Sequence, residues 1–91
     1  MKFVKLDGMK VMSADAFQVG DITGAEIDTK TWGITHLYVA LTDEAATKLG
    51  HKKPLLGHIT VCLCVKYIET VGDVVTLNKE LLEIEDISEC K

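Results

Sequence analysis

Val71-Gly72-Asp73-Val74-Val75-Thr76-Leu77-Asn78 is a Gly-Asp turn that runs into a short apolar strand. It answers an earlier segment, Val19-Gly20-Asp21-Ile22-Thr23-Gly24-Ala25-Glu26-Ile27-Asp28, which carries the same Gly-Asp pair ahead of a second strand pattern. Two such turn-and-strand units in a short chain are the pattern of a small β-barrel. Between them, residues 33–41 alternate cleanly: Thr35, Leu37, Val39 and Leu41 fall on one face, and Ile34, His36, Tyr38 and Ala40 on the other.

Working outward, Lys2-Phe3-Val4-Lys5-Leu6 begins a first strand, with Asp7-Gly8 as its turn. Lys10-Val11-Met12 and Phe17-Gln18-Val19 flank the small polar loop Ser13-Ala14-Asp15-Ala16. Gly20-Asp21 is expected to re-aim the chain into a strand over residues 22–28, and Asp28-Thr29-Lys30-Thr31 to turn it back through side-chain bonds to nearby backbone N–H groups. Thr42-Asp43-Glu44-Ala45-Ala46-Thr47-Lys48-Leu49-Gly50 predicts a two-turn helix. Thr42 is its N-cap, Asp43 and Glu44 are first-turn acids, Lys48 is a last-turn cation and Gly50 a left-handed stop. A loop through Pro54 and Gly57 leads to a strand over residues 59–65, and a strand over 73–77 completes the barrel. Asn78 is placed to cap a final helical turn over 79–83, and residues 85–91 read as a frayed acidic tail.

The expected fold is therefore mostly β: a six-stranded, partly open, SH3-sized barrel over residues 1–84, with one short helix and a short C-terminal helical turn. Its core is predicted to hold Val19, Ile22, Ile27, Leu37, Val39, Leu41, Val61, Leu63, Val74 and Leu77, with Leu49 capping one end from the helix.

Ninety-one residues make one domain, and 47% hydrophobic with 26% charged residues is too apolar for disorder. The first residues lack the apolar run of a signal peptide, and no apolar stretch approaches the roughly 20 residues that span a bilayer. The expectation is a cytoplasmic protein without membrane insertion. Net charge is −4 and all ten basic residues are lysine. A nucleic-acid reader relies on the guanidinium fork, so an acidic chain without arginine argues against direct nucleic-acid binding.

Four residue groups could carry chemistry or binding. Cys62-Leu63-Cys64, four residues after His58, puts two sulfurs on one strand face about 7 Å apart. Three ligands on one strand do not wrap tetrahedrally around zinc, and His51 or Cys90 would have to be brought in by folding. The reading adopted is that Cys62, Cys64 and Cys90 are reduced, metal-free thiols. His36 lies mid-strand beside Tyr38 with no nucleophile near it in sequence, and reads as a surface or interface histidine. The paired carboxylates are Asp21 with Glu26 and Asp28, or Asp43 with Glu44; Asp28 is accounted for by the turn and Asp43 and Glu44 by the helix start, and no phosphate-cradling glycine motif occurs. Lys48, His51, Lys52, Lys53 and His58 form one basic neighbourhood suited to an acidic partner. No cofactor, metal ligand or catalytic residue is assigned.

In their order and separations, Val19-Gly20-Asp21, Lys30-Thr31-Trp32 ahead of Ile34-Thr35-His36-Leu37, Lys53-Pro54-Leu55-Leu56-Gly57 and Val71-Gly72-Asp73-Val74-Val75-Thr76-Leu77 resemble the PRC-barrel family, particularly its short stand-alone archaeal members. The resemblance spans residues 5–82. It implies a six-stranded SH3-like barrel that acts as a docking platform rather than an enzyme. For the archaeal type it implies a homodimeric adaptor in cell division, with the SepF-type anchor of the FtsZ ring as partner. A ribosome-biogenesis helper that binds a ribosomal protein is the alternative within the family, and a small metal or redox protein using Cys62 and Cys64 is the alternative outside it. The chain departs from the family where similar proteins carry a proline ahead of the segment Val65-Lys66-Tyr67-Ile68; here Cys64 stands in that place.

The outward strand faces point to an interface. Thr60, Cys62 and Cys64 on one strand, and Ile34, His36 and Tyr38 on another, carry no formal charge, whereas a solvated sheet face should be rich in Lys, Glu and Thr. These six residues are the predicted dimer or partner surface, the alternative being that the small helix or the C-terminal turn folds over them within one chain.

Overall fold

The computed structural model describes residues 5–50, 59–84 and 87–89. The strands are β1 (Lys10–Met12), β2 (Gln18–Asp28), β3 (Gly33–Leu41), β4 (Thr60–Cys64), β5 (Ile68–Val71), β6 (Val75–Leu77) and the two-residue β7 (Ser88–Glu89); one helix, α1, covers Asp43–Lys48. They form a single mixed sheet in the order β5-β6-β1-β2-β3-β4-β7. Every pairing is antiparallel except β1 with β6, which is parallel through Val11↔Val75 and Met12↔Thr76. The fold is thus mostly β with one short helix, as the alternation implied.

The sheet is open, with β5 and β7 at its ends, but it is strongly curled. β4 and β5 stand at opposite sides of the strand order, yet only the 3₁₀ turn Val65–Tyr67 separates them in sequence. At about 2 Å rise per residue such a link spans only about 6 Å. The end of β4 must therefore lie beside the start of β5. Asn78, just after β6, donates its backbone N–H to Tyr67 O at 2.8 Å and its side-chain amide to Lys66 O at 3.0 Å, which pins the turn.

The core lies on the concave face. Val11, Val19, Ile22, Leu37, Val39, Leu41, Val61, Leu63, Val75 and Leu77 are at most 2% exposed, and Ala45, Ala46, Leu81 and Ile84 cover the ends. Leu49 is half-buried against the cluster, at the helix end where it was expected. Each fully buried aliphatic side chain contributes about 1.5–3 kcal/mol.

Two predicted core positions are corrected. Ile27 is 51% exposed: the β2–β3 ladder shifts register between Glu26 and Ile27, which takes the end of the hairpin out of alternation. Val74 is only half-buried, because the turn runs through it and β6 starts one residue later, so Val75 and Leu77 share the inward face. An earlier register shift, between Ile22 and Gly24, places Ala25 opposite Leu37.

The predicted punctuation holds at α1 and at the hairpin. Thr42 Oγ1 accepts from Ala45 N at 3.1 Å, and Gly50 takes φ +82°. Asp28 Oδ1 accepts from Lys30 N at 2.8 Å. Gly20-Asp21 behaves differently from its expected turn: it lies inside the eleven-residue β2. Gly20 is wedged between Val11 of β1 and Leu41 of β3, and a Cβ on it would stand 2.1 Å from Ala40 O. Glycine is there for close backbone approach. The C-terminal helical turn is 3₁₀, Leu81–Glu83, and its cap is Glu80, which forms a capping box with Glu83, rather than Asn78. Beyond it Ile87 packs on the core and Ser88–Glu89 pairs with β4, so part of the expected acidic tail joins the sheet. The proposed start of the first strand at residues 2–4, and His51, Lys52, Lys53 and His58 of the basic neighbourhood, lie outside the described residues.

Candidate functional site

Five of the six predicted interface residues lie along the β3–β4 ladder, and Ile34 pairs instead with Ile27 of β2 beyond a register shift. Directly opposed residues of an antiparallel pair point to the same side. The β3–β4 ladder opposes His36 to Cys64, Tyr38 to Cys62 and Ala40 to Thr60, while the intervening pairs Leu37↔Leu63 and Val39↔Val61 face the core. All of the outward residues named here are half-buried, apart from Ile34 at 38% exposure. Neighbouring strands supply part of that cover. Tyr38 lies across β2 at Gly24, where a Cβ would come within 2.8 Å of the ring, so the glycine makes room for the aromatic.

A polar row crosses the same face. Glu26 of β2, His36 of β3 and Cys64 of β4 are successive cross-strand neighbours. His36 Nδ1 lies 4.0 Å from Glu26 Oε2 and 3.0 Å from Thr35 Oγ1. An imidazole between a carboxylate and a hydroxyl is held in orientation on the sheet surface. Among the described residues no group of three or more His, Cys, Asp or Glu side chains could hold a metal ion.

The cysteines differ from the expected set of three thiols. Cys64 carries a free thiol, whereas Cys62 is disulfide-bonded. Cys90 lies outside the described residues. The expectation of reduced thiols rests on the odd cysteine count, on compartment and on the burial habit of cysteine, none of which registers a tertiary pairing.

The hairpin tip adds Trp32, which the sequence reading left out of the predicted surface. Trp32 is 75% exposed and holds φ +59°, a left-handed conformation that is an outlier for a bulky residue. Its backbone N–H donates to Asp28 O at 2.6 Å, which closes the turn. Ile27 and Ile34 face one another across the strands next to it, 51% and 38% exposed. The signal available in sequence was the Trp-Gly pair directly after an Asx turn, which puts a large apolar side chain at a loop tip.

Elsewhere, Lys48 Nζ sits 4.0 Å from the Phe17 ring centroid, above a shallow depression lined also by Asp43, Glu44 and Thr47. Ser13, fully buried, donates to Asp15 Oδ1 and accepts from Phe17 N at 3.2 Å, which ties the 13–17 loop. That hydroxyl bond is the main cause holding the Asp15 carboxyl below its ordinary value. No helix among the described residues is long and apolar enough to cross a membrane. Comparison with protein-family models and with curated proteins found no match to this chain.

Proposed function

We propose that this chain is a non-enzymatic protein-interaction adaptor: a homodimer of SH3-like, PRC-type barrels that docks another protein. The observation that carries the reading is the set of half-buried cross-strand pairs His36↔Cys64, Tyr38↔Cys62 and Ala40↔Thr60, with exposed Ile27, Ile34 and Trp32 at the hairpin end beyond a register shift. Backbone held in a sparsely populated conformation clusters at functional positions, and here it presents an aromatic ring to solvent. Tryptophan is enriched among residues that dominate binding energy. The curl of the sheet supports the barrel, and the sequence resemblance supports the family's docking role.

Magnitudes decide how much surface is needed. Burying what remains exposed of Trp32, Ile27 and Ile34 yields roughly 3–5 kcal/mol in total. Association costs about 4–15 kcal/mol in lost freedom. The tip alone therefore gives weak binding at best, and the adjoining face from His36 to Cys64 must be covered with it. The SepF-type anchor protein is the partner that the resemblance names.

Light scattering at tens of micromolar tests the dimer. Wild type should weigh twice the 10.0 kDa chain, and Ile34→Glu should run as a monomer with an unchanged melting temperature. A monomeric wild type would overturn the assembly. Titration of the dimer with a purified SepF-type protein tests the partner separately, and absence of binding would remove that assignment while leaving the dimer intact.

A further inference from the structure

The β2–β3 hairpin has two ends of unlike chemistry. Its tip carries Trp32, 75% exposed, with the exposed Lys30 two residues before it. The ladder from β1 reaches β2 only as far as Asp21, and that from β4 reaches β3 only as far as His36. The tip therefore projects as a two-stranded ribbon, about 10 Å beyond the last β4 pair. Phe17, just before β2, and α1, just after β3, stand at the opposite end, where Gly20 pairs with Leu41. There Phe17, Asp43, Glu44, Thr47 and Lys48 line a depression of about 480 Å³. The steps along β3 from Leu41 to Gly33 put about 27 Å between the two ends. The longest dimension of the molecule is 35 Å.

The geometry points to a head-to-tail contact between copies of this chain, in which Trp32 of one copy seats in the Phe17–Lys48 depression of the next. Lys48 Nζ already stands 4.0 Å from the Phe17 ring centroid, so the depression holds an ammonium against an aromatic wall. An indole entering beside it offers that ammonium a second and stronger π face. Asp43 and Glu44 are exposed carboxylates on the rim, and Lys30 arrives with the tip. Asp28 keeps its carboxylate on the Lys30 backbone N–H at 2.8 Å, which leaves the Lys30 ammonium as the charge at the apex of the turn.

Like ends repel. Tip against tip sets Lys30 on Lys30, and depression against depression sets Asp43 and Glu44 on their own kind. Only the unlike pairing matches charge and shape together. A contact between unlike patches does not close as a two-fold dimer does, and it extends copies into a row or a ring. One tryptophan buries about 150–250 Å², far less than a standard interface. The contact therefore forms at about millimolar concentration, outside the range in which the symmetric dimer is weighed. It goes beyond the dimer reading, and either can fail without the other.

Trp32 is the chain's one tryptophan, so its fluorescence reads the contact directly. Between about 10 μM and about 1 mM, wild-type emission should move to shorter wavelength and acrylamide quenching should fall. Glu44→Lys, which spoils the depression and keeps the tip, should show neither change by itself. Excess Trp32→Ala, which has an intact depression and no tryptophan of its own, should restore both when added to it. Excess Trp32→Ala/Glu44→Lys should restore neither. Circular dichroism melting curves establish that each variant is folded. Wild-type emission that does not change with concentration, a full shift in Glu44→Lys alone, or no recovery with Trp32→Ala would overturn the contact.

Discussion

Replacing Gly20 by alanine is the most direct probe of how β1, β2 and β3 are pressed together. The new Cβ would lie 2.1 Å from Ala40 O and 2.9 Å from both Ala40 C and Val39 Cγ1, where real contacts essentially never fall below 3.0 Å. β2 must retreat from β3 by about 1 Å, roughly a fifth of the normal spacing between strands. The obstacle is a backbone carbonyl inside a ladder and has no rotamer to escape into. Overpacking costs about 1–3 kcal/mol, and a backbone obstacle belongs at the top of that range. Alanine recovers about 0.4–1 kcal/mol by restricting the unfolded chain. The net loss is about 2 kcal/mol, which for a domain this size lowers the melting temperature by about 8–16 °C. Gly24→Ala is the matched control: its Cβ meets the Tyr38 ring at 2.8 Å, and a side chain can swing aside. It should cost no more than about 1 kcal/mol. Thermal and urea unfolding followed by circular dichroism would measure both. A Gly20→Ala protein within about 0.5 kcal/mol of wild type, or an equal loss at Gly24, would refute the close-approach argument.

Leu37→Ala should cost about 2–4 kcal/mol, since the side chain is 1% exposed, whereas Ile27→Ala, half exposed, should stay within about 0.5 kcal/mol; urea midpoints of the two variants compare them directly. Asp15 gives a pH signature. Its folded value is lowered, first by the Ser13 hydroxyl bond, so its contribution is present above the ordinary value of 3.8 and is lost as pH falls through the folded value. The stability gap between wild type and Asp15→Asn, read from urea unfolding at pH 6 and pH 2, should therefore shrink at the lower pH, and an unchanged gap would count against the Ser13–Asp15 bond.

The parts of the fold that could be read in the sequence were those set by local chemistry. Period-two alternation gave both faces of β3 from His36 to Leu41, where the ladder to β4 is regular, but not at Thr35 and Ile34, where the pairing with β2 shifts register. Thr42 and Asp28 act through bonds to residues two or three positions away, and such contacts survive any tertiary arrangement. The misread positions depended on partners distant in sequence. Gly20 looks like a turn residue until Ala40 O is placed against it, and the register shift beside Ile27 exists only in the pairing with β3. The alignment of His36 and Tyr38 with Cys64 and Cys62 was legible for the same reason as the β3 faces. The exposure of Trp32 was not, because one ring at a loop tip leaves no periodic trace.

The parallel pairing of β1 with β6 has a consequence for the order in which the chain can fold as it is made. Val11 is fully buried, yet the neighbour on one side of it, Val75, is synthesised about 60 residues later. At ribosomal speeds of about 5–20 residues per second, β1 waits several seconds with one edge open. The β2–β3–β4 portion, joined by successive antiparallel neighbours, has all its strands available well before then. β1 can pair with β2 early, but Val11 is sealed only when the last third of the chain arrives. The nascent protein therefore spends its most vulnerable interval as a half-sheet, and the arrival of Val75-Thr76-Leu77 is the event that ends it.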